Sequence, residues 1–325
     1  MLLRFVSFHA GVIRLLFVAI FVFSSVSGLE MAEAETFPAD EKVGLLIMAH
    51  GGSDEWNRAV MQAAMPLQQY CPIDVAFGMA HPDSLQKAVT QLESQDVNKI
   101  AVVRLFISGN SFLQQTAYLL GQKPEPPKTF AHHHGSTHDK SGQDSTKVPS
   151  PVDLNSVIEI GREGLLDSDI AFEILVQRAL ELSVDAKNES VLFLAHGARS
   201  EEENNRWLAR MGKLIQQTKE AGSFNAVRVE TLREDWPEKR KQAEARIKEF
   251  VQKGHNNIGR TIVVPARVFG FGPYKKVLDG LDYVADGKGL LPHRLVTEWL
   301  RLQAQTCFER AGWENPFANQ KQGSK

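Results

Sequence analysis

Short apolar runs, each closed by Gly, alternate along the chain with stretches of helical spacing. The run Leu45-Leu46-Ile47-Met48-Ala49 ends in His50-Gly51, and a second, Val191-Leu192-Phe193-Leu194-Ala195, ends in His196-Gly197. Such runs read as buried strands, with the His placed where strand gives way to loop. The first strand is expected over 43–49. Apolar residues at helical spacing follow from Trp56 to Leu67, with Ser53 or Asp54 as cap. Strands are then expected over 73–79 and 99–107, with helices after Pro82 and after Ser111. Val157-Ile158-Glu159-Ile160 and Gly164-Leu165-Leu166 precede a helix over 168–182.

The second half repeats this order. Strands are expected over 191–195, 227–232 and 261–268, Pro237 stands where Pro82 stood, and Gly270 where Gly109 stood. Gly289-Leu290-Leu291 precedes a last helix to about Arg310. The intervals between matching features are similar. The exception is the Gly-Leu-Leu pair, which is closer by about the length of a Pro-, Lys- and Ser-rich stretch found only in the first copy, 123–152. That stretch is nearly empty of large apolar residues and reads as a mobile insertion. Strands alternating with helices imply α/β lobes with parallel sheets and right-handed crossovers. The organisation expected is a leader over 1–34, an N-terminal lobe over 41–182 carrying the insertion, a C-terminal lobe over 190–312, and a tail over 313–325. Ligands of open parallel sheets bind outside the carboxyl ends of the strands, so the two His residues mark the expected site.

Composition narrows the function. The net charge of −2 and the lack of a basic stripe give no reason to expect nucleic acid. Two cysteines, Cys71 and Cys307, match no metal or redox spacing; they are either buried thiols or one disulfide. Arg4 and Arg14, an apolar run to Val26 and Ala32-Glu33-Ala34 have the layout of a secretory signal. The protein is therefore expected to be exported, to a periplasm or beyond the cell. A membrane would be met only through this segment if it stays uncleaved.

The ordered pair of strand–Ala-His-Gly, turn–Pro and strand–Gly resembles the CbiX-type sirohydrochlorin chelatases, the class II chelatases. The resemblance covers about Val43–Leu182 and Val191–Arg310. It implies two similar lobes, each a parallel sheet flanked by helices, around a cleft for metal and tetrapyrrole. It also implies ATP-independent insertion of a divalent metal, cobalt or iron, into sirohydrochlorin or a related macrocycle; the imidazole ligands would suit nickel or zinc as well. His50 and His196 match the family's first-strand His, which binds metal and helps deprotonate the macrocycle. At the family's acidic position after the second strand stand His81 in one copy and Glu234 with Asp235 in the other. The family's second His, after the third strand, is replaced by Ser111 and Gly272.

The residues themselves support parts of this. Imidazole suits borderline divalent metals and titrates near neutrality. His132, His133, His134 and His138, inside the insertion, form a compositional metal-binding signal. Arg104 and Arg267 are unusual in strands expected to be buried, and would give bidentate contacts to tetrapyrrole carboxylates. Trp56 and Trp207 are expected at the lobe interface or as an aromatic wall. The alternative function is an exported metal or tetrapyrrole carrier on the same fold, without turnover.

Overall fold

The computed structural model describes residues 41–128 and 148–318, apart from the side chains of 256–258. The expected leader over 1–34 and the His132–His138 tract lie outside the described residues. The first half consists of β1 (Val43–Ala49), α1 (Asp54–Ala64), β2 (Ile73–Phe77), α2 (Pro82–Glu93), β3 (Lys99–Leu105), α3 (Leu113–Leu119), β4 (Val157–Ile160) and α4 (Asp169–Leu182). The second consists of β5 (Glu189–Ala195), α5 (Glu201–Gly222), β6 (Ala226–Thr231), α6 (Pro237–Ile258), β7 (Arg260–Ala266), α7 (Tyr274–Val277) and α8 (Arg294–Ala311). Ser53, rather than Asp54, caps α1, accepting from the Trp56 amide at 3.3 Å.

The protein is α/β, with two all-parallel sheets flanked by helices. Their orders are β2-β1-β3-β4 and β6-β5-β7. The second sheet stops one strand short. Where the counterpart of β4 would run beside β7, an isolated parallel bridge joins Ile262 to Val284, and another farther on joins Phe269 to Leu291. Every residue of β1 and β5 is buried, as a central strand covered on both faces requires. In β1, Leu46 and Met48 face an outer core with Leu85, Val89 and Leu92 of α2. Leu45, Ile47 and Ala49 face the other way, into a core that also holds Val191, Phe193 and Ala195 of β5. The two sheets thus share one inner core.

The helices that fill that core are exchanged. From the first half, α4 packs on β7 and α5; from the second, α8 packs on β3, β4 and α1. Polar contacts fix the exchange at both ends. Arg178 of α4 donates to the Pro292 carbonyl at 2.6 Å, and Thr297 of α8 donates to the Ala63 carbonyl at 2.8 Å. Arg310 donates to the Ile160 carbonyl at 2.6 Å and is paired with Glu159. The change of lobe in sequence, between α4 and β5, is therefore not the boundary in space.

The repeat seen in the sequence survives in backbone contacts. Leu165 and Leu166 donate to the Phe106 and Ile107 carbonyls, as Leu290 and Leu291 donate to those of Arg267 and Val268. The approach is close: a Cβ on Gly109 would lie 2.4 Å from the Arg162 carbonyl oxygen, and one on Gly289 2.5 Å from that of Arg267. Cys71 and Cys307 are both free and buried, so no bridge joins them. Burial pushes each thiol up to about 12. Among the described residues no helix is long and apolar enough to cross a membrane.

Candidate functional site

The carboxyl ends of the two sheets face one cleft of about 490 Å³. His50 and His196 both line it, one from each lobe. Each is delivered by the same device. The strand ends, the next residue is Gly in the left-handed region (Gly51 φ +73°, Gly197 φ +89°), and the chain turns away from the imidazole. In each, Nδ1 lies on the carbonyl of that Gly, at 2.8 Å for His50 and 2.7 Å for His196. Donating the Nδ1 proton there leaves Nε2 as the free ring nitrogen in the neutral form, the arrangement common in metal-ligating His.

Beyond this shared geometry the two differ. The His50 ring stacks on Trp56 (5.3 Å, 19°), and Trp56 stacks on Phe269 of the other lobe (5.8 Å, 29°). The His196 Nε2 faces carboxylates instead, at 3.0 Å from Asp235 and 3.9 Å from Glu234. At 3.0 Å the His196–Asp235 contact is an ordinary charge-assisted hydrogen bond of a protonated imidazole to a carboxylate. Among the described residues there is no group of three or more His, Cys, Asp or Glu side chains placed to hold a metal. Asp235 is mostly exposed and lines the cleft; Glu234 is half-buried beside it and paired with Arg267.

Arg267 reaches the cleft, and its guanidinium also lies 5.5 Å from the Tyr274 ring centre. Burial opposes its charge, but Tyr274 and Glu234 more than offset this and hold its pKa above the ordinary arginine value. Arg104 has a different position from the one expected. It is buried, and its guanidinium donates to the carbonyls of Gly161 (3.0 Å), Ser111 (2.6 Å), Gly109 (2.6 Å) and Arg162 (3.2 Å). Those bonds tie the loop after β3 to the segment after β4. Burial pulls its pKa down to about 10, which leaves it a cation at neutral pH. Nor are the two arginines counterparts: Ala49 pairs with Leu105 and Ala195 with Ala266, so Arg267 matches Phe106.

His81, expected as a ligand beside His50, is the N-cap residue of α2, and its Nδ1 lies 4.0 Å from the Asp83 carboxylate. Met79 and Ala80 both take left-handed backbone (φ +55° and +59°), and it is Met79 that lines the cleft. Trp56 and Trp207 line it as well, with Phe106 and Phe112. The first lobe supplies most of the aromatic and apolar wall, together with Ser108, Asn110 and Ser111, while the charged groups Asp235, Arg267 and Glu203 come from the second.

Glu203 escaped the sequence reading. It sits three residues after Ser200, which caps α5 through the Glu203 amide at 3.1 Å, and so reads as an ordinary acid in a helix's first turn. Its carboxylate in fact accepts from Ser108 Oγ (3.1 Å), Asn110 Nδ2 (3.1 Å) and Trp207 Nε1 (3.0 Å), and pairs with Arg206. It joins the loop of the first lobe to the helix of the second across one side of the cleft.

This architecture is the class II chelatase fold. The sirohydrochlorin chelatase SirB of Bacillus subtilis, solved with Fe³⁺, superposes with a TM-score of 0.56 at 13% identity, covering 83% of this chain and 98% of that one. The cobalt complex of SirB from subspecies spizizenii gives 0.53 at 11%, covering 83% and 97%. A multi-domain protein of Deinococcus radiodurans with structural similarity to chelatases gives 0.50 at 17%, covering 81% of this chain and 54% of that protein. No family model matches the sequence, and no curated protein matches it.

Proposed function

We propose that the protein inserts a divalent metal, cobalt or iron, into a metal-free tetrapyrrole of the sirohydrochlorin type, without ATP. One observation carries this reading: two strand-end imidazoles, one from each lobe, line a single aromatic-walled cleft. The fold shared with SirB supports it. In this reading the macrocycle lies against Trp56, Phe106 and Phe112. Asp235 and His196 present the incoming ion, with Glu234 behind them. His50, with its Nε2 free, accepts pyrrole protons. Insertion is balanced by release of two protons per M²⁺; His50 takes them one at a time at Nε2 and passes each to solvent before the next, a task that suits an imidazole. Arg267, paired with Glu234, holds that carboxylate in position. The His132, His133, His134 and His138 tract supplies or buffers metal, and the leader over 1–34 places the reaction outside the cytoplasm; fractionation of expressing cells tests the latter.

The test is to mix the purified protein with sirohydrochlorin and Co²⁺ or Fe²⁺ and follow the absorbance. A rate above the protein-free control, lost in His50→Ala and in His196→Ala, is expected. The reading fails if no metal among cobalt, iron, nickel and zinc is inserted faster than without protein.

A carrier without turnover is the second reading. It draws on the positions where the resemblance expects a further His, occupied by Ser111 and Gly272; the Ser111 carbonyl is moreover taken by Arg104. Its mark would be metal or tetrapyrrole binding that His50→Ala abolishes, with no insertion.

A further inference from the structure

Beside the main cleft lies a second cavity of about 590 Å³. The two share Ser108, Asn110, Glu203 and Trp207 as lining. A ligand resting on Trp207 can therefore reach both. The second cavity differs in chemistry, because three arginines line it. Arg162 comes from the segment after β4 in the first lobe, and Arg206 and Arg210 from successive turns of α5 in the second.

Their surroundings decide which are available. Arg210 is anchored, donating to the Asp167 carbonyl at 2.6 Å and the Leu166 carbonyl at 3.4 Å. Arg206 is mostly exposed and paired with Glu203. Two acids also line the cavity besides Glu203. Asp167 is 3.5 Å from Arg210, and Glu163 accepts from Gln303 at 2.9 Å. The Arg162 side chain is exposed and has no acidic partner among the described residues, although its carbonyl accepts from Arg104. The annex thus holds one guanidinium without an acidic partner and a second, exposed one that is paired with the mostly buried Glu203. A guanidinium fork binds carboxylate bidentately.

We propose that this annex is a carboxylate subsite, in which Arg162 and Arg206 bind acidic side chains on the rim of a macrocycle seated in the cleft. It rests on the tetrapyrrole reading above and narrows it: the cleft prefers macrocycles with carboxylates on every ring to those with few. Because both arginines are exposed, each contributes up to about fivefold to affinity, the upper end for an exposed charge pair, and the preference shrinks as salt screens them.

The experiment is a fluorescence titration of the full chain with two metal-free porphyrins. Uroporphyrin carries carboxylates on every pyrrole, and mesoporphyrin on only two. Wild type is expected to bind uroporphyrin more tightly. Arg162→Gln, alone and with Arg206→Gln, should erase that preference in steps of up to about fivefold and weaken mesoporphyrin less than uroporphyrin. Arg162→Lys should restore part of it, and thermal melts should show each variant folded. The subsite is overturned if wild type shows no preference for uroporphyrin. It is overturned equally if Arg162→Gln changes neither ligand or weakens both alike. If wild type binds neither porphyrin, the subsite and the tetrapyrrole reading fall together. A preference without metal insertion upholds the subsite and overturns only the chelatase.

Discussion

Replacing Arg104 by Met removes a buried cation and leaves four backbone carbonyls without their donors, two of which accept at 2.6 Å. A carbonyl left unsatisfied in the interior costs about 1–3 kcal/mol. The full sum overshoots, because burying the guanidinium has its own desolvation cost, visible in the pKa drawn down to about 10. Removal of one partner from a buried charged network typically costs about 3–5 kcal/mol, and that is the loss expected here. For a chain of this size it corresponds to a fall in Tm of about 5–8 °C. Urea denaturation of wild type and Arg104→Met measures it. Arg104→Lys should fall in between, since an ammonium keeps the charge but cannot span four carbonyls. The competing role, contact with a ligand carboxylate, makes the opposite prediction. If Arg104→Met holds its stability within about 0.5 kcal/mol, the usual scatter of surface changes, and loses tetrapyrrole binding, the structural account of this residue is refuted.

Gly109→Ala should destabilise by about 1–3 kcal/mol, since its Cβ would sit 2.4 Å from a carbonyl oxygen that belongs to the backbone. Gly212→Ala, in mid-helix with nothing within 4 Å of the new Cβ, should instead stabilise by about 0.5–1 kcal/mol; urea melts of both check the contrast. Cys71 and Cys307 should resist a thiol reagent at pH 8 in the native protein and react fully in denaturant. Both thiols are held up to about 12 against an ordinary value of 9.0, so the folded state keeps protons the unfolded chain gives up. Their contribution to stability is intact below pH 9 and declines toward pH 12, by about 1.4 kcal/mol per pH unit for each thiol; denaturation at stepped alkaline pH shows the slope. Trp56→Ala should weaken porphyrin binding about tenfold by removing one stacking surface, as read by fluorescence titration, with unchanged circular dichroism.

Much of this molecule was legible in its sequence, for reasons that also explain what was not. The bounds of β1 and the delivery of His50 and His196 could be read because a strand buried on both faces leaves an unbroken apolar run, and Gly marks where it turns. The exchange of α4 and α8 could not. An amphipathic pattern says that a helix has a buried face, but both lobes offer that face the same kind of apolar surface. Arg104 announced itself as an odd residue in a buried strand. Sequence cannot tell a carboxylate partner from backbone carbonyls, because the carbonyls come from loops whose path only the fold determines. His81 was placed by its distance past the strand, and two successive left-handed residues put Met79 on the wall instead. Glu203 was hidden because a first-turn acid after a Ser cap is already accounted for locally.

The exchanged helices have a consequence for how the chain is made. The sheet of the first lobe is finished by a helix that ends at Ala311, so the lobe that leaves the ribosome first is closed only by a segment made after all the strands of the second lobe. Until then the faces of β3 and β4 that await α8 stay uncovered, and a folding intermediate with exposed sheet is prone to associate with its own kind. Contacts so distant in sequence also make folding slow. Yield during expression should therefore depend on synthesis rate and on chaperones more than the stability of the finished protein would indicate.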